Sequence, residues 1–204
     1  MTTVKQALME KIDPMNGRHL EHIARYQFAV PFVKGRVLDL SCCNGYESKL
    51  LAKAGKKAIS EIIAVVTDKE AVAYAENVCY HPLLSFRHGS ITDDNYVSEL
   101  GKFDTIVGFD TIRETEDRSN FMEQIHRLLT PEGTVLLSAS LNGGNAGRKN
   151  TVFNQRPLLT PEQFRFLFVG FQETAFYGQT GVLFEPSKPA PDIEICIGIG
   201  TGIR

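Results

Sequence analysis

Residues 37–48, VLDLSCCNGYES, decide how this chain is read. An apolar run ends in an acid, Asp39. Small residues then make a tight turn, and Gly45 opens a helix-like pattern that reaches Ala54. Strand, turn and helix N-terminus in direct succession leave backbone N–H groups exposed at one point, the arrangement that receives a nucleotide-like ligand.

The same alternation continues on both sides. Residues 18–33 place Leu20, Ile23, Gln27 and Val30 at helical spacing, with Pro31 marking the end of a leading helix. Gly35 introduces a first strand at 36–40, and a helix follows over 45–54. A second strand, 61–67, is a continuous apolar run suited to a sheet covered on both faces. The pattern predicts a helix over 69–78, strands at 83–88 and 103–109, a helix over 118–129, a Pro131-Glu132-Gly133 turn and a fifth strand at 134–140. Strands alternating with helices make parallel βαβ units with right-handed crossovers. The expected fold class is therefore α/β, a doubly wound, mainly parallel sheet.

The last third changes character. NGGNAGRKN (142–150) reads as a loop. Thr160-Pro161-Glu162 reads as a helix cap with proline at the first helical position. Segments near 171–177 and 193–199 are expected to pair as an antiparallel hairpin on the sheet edge. The closing IGIGTG (197–202) looks like a glycine fingerprint, but no helix pattern follows it, so it reads as a terminal strand. One domain is expected over 1–204: a leading helical segment (1–34), a ligand-binding core (35–141), and a loop, helix and edge hairpin (142–204).

Hydrophobic residues are 43% of the 204, enough for a real core, and the net charge is −2 without an extended basic block. A broad nucleic-acid-binding face is not expected. Neither a signal-type apolar region nor an 18-residue apolar stretch is found, so a cytoplasmic protein without a membrane span is expected. The four cysteines, Cys42, Cys43, Cys79 and Cys196, form no CxxC pair and read as reduced small residues. His19 and His22 share a helix face without a second ligand pair, so surface histidines rather than a metal site are expected.

The order of motifs from about 19 to 180 resembles the class I S-adenosylmethionine-dependent methyltransferases. Asp39-Leu40-Ser41-Cys42-Cys43-Asn44-Gly45 stands at the family's first motif. GFDTIRETED (108–117) looks like the segment after its fourth strand, and HRLLTPEGTVLLS (126–138) is similar to its helix, turn and fifth strand. TPEQF (160–164) and YGQ (177–179) resemble small-molecule and sugar- or lipid-tailoring members.

The resemblance implies a Rossmann-like methyltransferase fold, S-adenosylmethionine as cofactor, and a small molecule, sugar or lipid headgroup as acceptor. It implies that the turn carrying Ser41, Cys43, Gly45 and Tyr46 lies under the cofactor's methionine portion. Asp39 would accept from the cofactor's ammonium, directly or through water, and Tyr26 would cover that end. Ser90 and Ile91 would frame the adenine. Phe109 and Asp110 would face the methyl group and the acceptor, with Asp110 the candidate catalytic residue.

Four positions depart from the family pattern. Ser41 and Cys43 replace glycines of the first motif. Val66 stands where an acid usually holds the ribose hydroxyls; a slightly longer second strand would let Asp68 serve instead. Glu114 stands where related proteins often show a histidine, and His126, further along, is expected to cap or pack. Methyl transfer does not strictly require a base, because alignment supplies much of the barrier reduction.

The alternative is a non-catalytic binding or regulatory module with a drifted cofactor site. A nicotinamide oxidoreductase is disfavoured because G-x-G-x-x-G is absent after the first strand. A hydrolase is disfavoured because G-x-S-x-G is absent.

Overall fold

The computed structural model describes residues 17–41, 44–142, 158–190, 193 and 195–204. Helix α1 (Gly17–Ala29) and a 3-10 turn (Val30–Phe32) lead into β1 (Gly35–Asp39). There follow α2 (Tyr46–Ala54), β2 (Ile59–Val66), α3 (Lys69–Val78), β3 (Leu84–His88), α4 (Asp94–Leu100) and β4 (Phe103–Phe109). Then come α5 (Thr111–Glu114), α6 (Arg118–Leu128), β5 (Leu129–Ser140), α7 (Pro161–Phe166), β6 (Phe171–Thr180), β7 (Leu183–Pro186) and β8 (Ile195–Ile203).

The strands form one sheet in the order β3-β2-β1-β4-β5-β8-β6-β7, with β1 to β5 parallel. The winding reverses between β1 and β4, which opens a crevice at the carboxyl ends of those two strands. Both faces are covered, which explains the unbroken apolar runs. On one face Leu38, Ile106 and Leu137 pack with Val97, Phe121, Ile125, Phe164 and Phe168 of α4, α6 and α7 and the turn after α7. On the other, Val37, Ile62, Val107 and Leu136 pack with Tyr26, Ala29 and Leu51 of α1 and α2.

The expected elements are present, with differences that have physical causes. Helix α4 is an additional element; its N-cap Asp93 accepts from the amides of Asn95 and Tyr96. Pro131-Glu132-Gly133 does not precede the fifth strand but bulges within it, where pairing with β4 jumps from Phe103↔Leu129 to Thr105↔Thr134. The antiparallel pair of the last third forms, but not as an edge hairpin. Strand β8 inserts between β5 and β6, antiparallel to both, and β7 takes the edge after a two-residue turn at Gly181, φ 58. The 142–150 loop, apart from Asn142, lies outside the described residues.

The face expected for α1 is also corrected. Leu20 is 44% exposed and Gln27 is exposed, whereas His19, Glu21, Arg25 and Tyr26 are buried. The helix buries a polar stripe because that stripe has partners beneath it, described below.

The closing glycines do structural work. Ile195, Ile197 and Ile199 of β8 are buried, the last two in the α1/α2-side core, while Cys196, Gly198 and Gly200 alternate with them. A Cβ on Gly198 would fall 2.3 Å from the ring of Phe168, and one on Gly200 would fall 2.6 Å from Phe171. Glycine at these two positions leaves room for the rings. Gly198→Val should therefore lower stability by about 1–3 kcal/mol through overpacking, read from urea unfolding midpoints.

Candidate functional site

The site is built around Asp39, the last residue of β1, which has no exposed surface. The Tyr26 hydroxyl of α1 lies 2.9 and 3.0 Å from its two oxygens, and Ser48 Oγ, in the first turn of α2, donates at 2.7 Å. The Ser41 amide and hydroxyl donate to Oδ1 at 3.0 and 3.1 Å. Ser41 Oγ also accepts from the Phe109 amide at 3.0 Å, which ties the turn after β1 to the end of β4. Burial pushes the Asp39 pKa up, against the opposing pull of hydrogen bonds from Ser48, the Ser41 amide, Tyr26 and the Ser41 hydroxyl. Among the described residues both Asp39 oxygens accept from these donors, so the carboxylate is an anchor of the turn and of the two helices.

A second network lies beside it. Asp110 follows β4 with φ 62 and ψ 0, the one non-glycine residue of positive φ among the described residues. Its amide donates to Ser138 O and Oγ of β5 at 3.2 and 3.1 Å. Its carboxylate pairs with Arg25 of α1, whose side chain is 5% exposed while that of Asp110 is 39% exposed. Arg25 Nε donates to Gln179 Oε1 of β6 at 2.7 Å, and Gln179 Nε2 donates to the carbonyls of Glu21 and Gly181 at 3.0 and 2.7 Å. Phe109 is buried, edge to face with Tyr26 at 5.2 Å.

The turn completes the crevice. Gly45 caps α2 at φ 83, and a Cβ there would fall 2.6 Å from Phe86, so glycine is required on both counts. Asn44 Oδ1 accepts from the Tyr46 amide at 3.0 Å, while its Nδ2 is buried without a partner among the described residues. Tyr46 is about half exposed, its ring 6.4 Å from that of His19. His19 is not the surface residue expected: it is buried 3.7 Å from Glu47. Cys42 and Cys43 lie outside the described residues, as does the side chain of Glu114. Cys79 and Cys196 are buried free thiols, the latter's pKa pushed up to about 12 by burial.

At the far side, β2 does not lengthen to bring Asp68 into place. It ends at Val66, and Asp68 caps α3, accepting from the amides of Glu70 and Ala71 at 2.7 and 3.1 Å. Ser90 Oγ pairs with Thr92 Oγ1 at 2.8 Å, and Ile91 is buried in the core. His126 packs, as expected, stacking on Phe171 at 4.7 Å. No group of three metal-ligating side chains occurs among the described residues. No helix there is long and apolar enough to cross a membrane.

Ser48, Asn44, Ser138 and Gln179 were not singled out from the sequence. A hydroxyl in the first turn after the Asp39 bend is a usable signal for Ser48. Gln179 lies 154 residues from Arg25, and nothing local announces it.

Residues 38–137, which span the crevice, match the family model described as a methyltransferase domain. These residues, just under half of the chain, are a methyltransferase domain. A probable S-adenosylmethionine-dependent methyltransferase of Mycolicibacterium smegmatis is 27% identical over 118 residues, 57% of this chain and 43% of that protein. The chain thus matches under half the length of that relative. In fold, the methyltransferase is similar to a Thermotoga maritima structure described as a possible histamine N-methyltransferase (TM-score 0.72, 14% identity, 99% of this chain and 100% of that one). It is also similar to the N-methyltransferase NodS of Bradyrhizobium japonicum in complex with S-adenosyl-L-homocysteine (TM-score 0.66, 12% identity, 98% of each chain).

The buried anchor has measurable consequences. Tyr26→Phe removes a donor from a buried carboxylate and should cost about 1–3 kcal/mol in urea unfolding. The folded protein holds a proton on Asp39 more firmly than the unfolded chain does. Stability therefore falls as pH rises above the ordinary value of 3.8 and levels off above the raised folded value. In Asp39→Asn this decline as pH rises above 3.8 should be smaller than in the wild type, measured by urea titrations from acid to neutral pH.

Proposed function

We propose that this methyltransferase transfers the methyl group of S-adenosylmethionine to a small-molecule, sugar or lipid-headgroup acceptor. The observation that carries the reading is the Asp39 cluster, which draws the end of β1, the first turn of α2, the polar face of α1 and the end of β4 onto one crevice.

The residues present fit the cofactor at that crevice. The N-terminus of α2 and Asn44 Nδ2, unpartnered among the described residues, supply donors for the carboxylate of the methionine portion. Ser41, Gly45 and Tyr46 would line the turn beneath it, with Tyr26 above. The backbone at Ser90 and Ile91 would frame the adenine, because the Ile91 side chain is committed to the core. When bound, the cofactor supplies a sulfonium methyl activated by its own charge.

The chain's part is alignment and exclusion of water. Phe109 and Tyr26 are buried edge to face beside Asp39. Asp110, held by Arg25 and Ser138, presents a partly exposed carboxylate on which an N–H or O–H of the acceptor would dock. Orientation of this kind can contribute about 7–11 kcal/mol of barrier reduction, so no dedicated base is invoked. A small acceptor agrees with the net charge of −2 and with the description of the Thermotoga maritima neighbour as a possible N-methyltransferase of histamine.

Calorimetric titration with S-adenosylhomocysteine should give one-to-one binding, and its absence would sink the proposal. With tritiated S-adenosylmethionine and a panel of small amines and alcohols, Asp110→Asn should slow transfer by roughly a hundredfold while leaving S-adenosylhomocysteine affinity within about twofold. Tight nucleoside binding without transfer to any acceptor would favour the non-catalytic module instead.

A further inference from the structure

In doubly wound nucleotide-binding sheets the tip of the second strand faces the ribose, and an acid about 20 residues beyond the glycine turn hydrogen-bonds its hydroxyls. Counted from Gly45, that position is Val66, the last residue of β2. Val66 is 5% exposed and clusters with Ala64, Ala71, Ala75, Cys79 and Phe86. Its carbonyl already accepts from the Gly89 amide at 3.1 Å. The nearest acid in sequence beyond it, Asp68, uses Oδ1 to hold two amides at the start of α3. The strand tip therefore carries a buried apolar side chain where this architecture ordinarily offers a carboxylate.

We infer that Val66 sets cofactor specificity at the ribose: the sugar is seated by shape, and its hydroxyls contribute little to affinity. This rests on the reading of S-adenosylmethionine as cofactor. The physical basis is an asymmetry of recognition. A site built to hydrogen-bond a hydroxyl rejects the analogue lacking it by about 10⁴–10⁵, because its own polar groups are left unpaired, whereas an apolar wall leaves nothing unpaired. The site accordingly accepts a deoxyribose form of the cofactor.

The test is calorimetry on the wild-type protein with S-adenosylhomocysteine and its 2′-deoxy analogue. The deoxy compound should bind no more than about tenfold more weakly, and a larger loss overturns the inference. Asp68→Asn, which preserves a good helix cap, should change neither affinity appreciably. If it weakens only the natural nucleoside, Asp68 holds the ribose and the inference fails. Val66→Asp should tighten the natural nucleoside and not the deoxy one, restoring the discrimination. If neither compound binds the wild-type protein, the cofactor reading itself fails, a result distinct from strong discrimination between the two.

Discussion

A carboxylate without access to water has to be surrounded by donors, and Asp39 imposes that requirement on three other parts of the chain. Its hydrogen bonds come from a tyrosine on the leading helix, a serine on the next helix and both donors of a serine in the turn. Losing any one leaves a buried polar group underpaired, which is costly in a medium of low dielectric. The crevice holds its shape because Asp39 is satisfied only when β1, the turn, α1 and α2 are all in place. The raised proton affinity of Asp39 is the residual cost of that burial.

The leading helix follows from the same constraint. A surface helix normally buries its apolar stripe. Helix α1 instead buries His19, Glu21, Arg25 and Tyr26, and leaves Leu20 to solvent. Tyr26 serves the Asp39 cluster, and Arg25 bridges Asp110 to Gln179. The two networks fasten the same helix across the carboxyl ends of β1 and β4, which makes it the roof of the site. Asp110 keeps an unfavourable left-handed backbone because Ser138 and Arg25 hold it from two sides.

Much of the architecture was legible because it rests on local pattern. The apolar runs of β2 and β4, the helix over Lys69–Val78 and the proline-started helix α7, with its Thr160–Gln163 capping box, all stand where periodicity and capping chemistry put them. Helix α4 escaped because seven residues hold too few apolar positions to show a period, although Asp93 carried the cap signal. The apolar face assigned to α1 failed because periodicity cannot see that a polar residue has a partner far along the chain. The tail was read correctly as a strand and incorrectly as part of an edge, since alternating Ile and Gly says nothing of which neighbours it will join.

By itself the sequence determined the alternation of strands and helices along β1 to β5, the bend after Asp39 and the glycine at position 45, because each depends on residues within a few places of one another. It also put Val66 where the family resemblance expects an acid, with Asp68 two residues on. Tertiary structure ended β2 at Val66 and made Asp68 the cap of α3. It likewise made Asp39 the anchor of α1 and α2 and joined Arg25 to Asp110 and Gln179. Those roles depend on contacts between distant segments, and such contacts exist only once the sheet has brought the segments together.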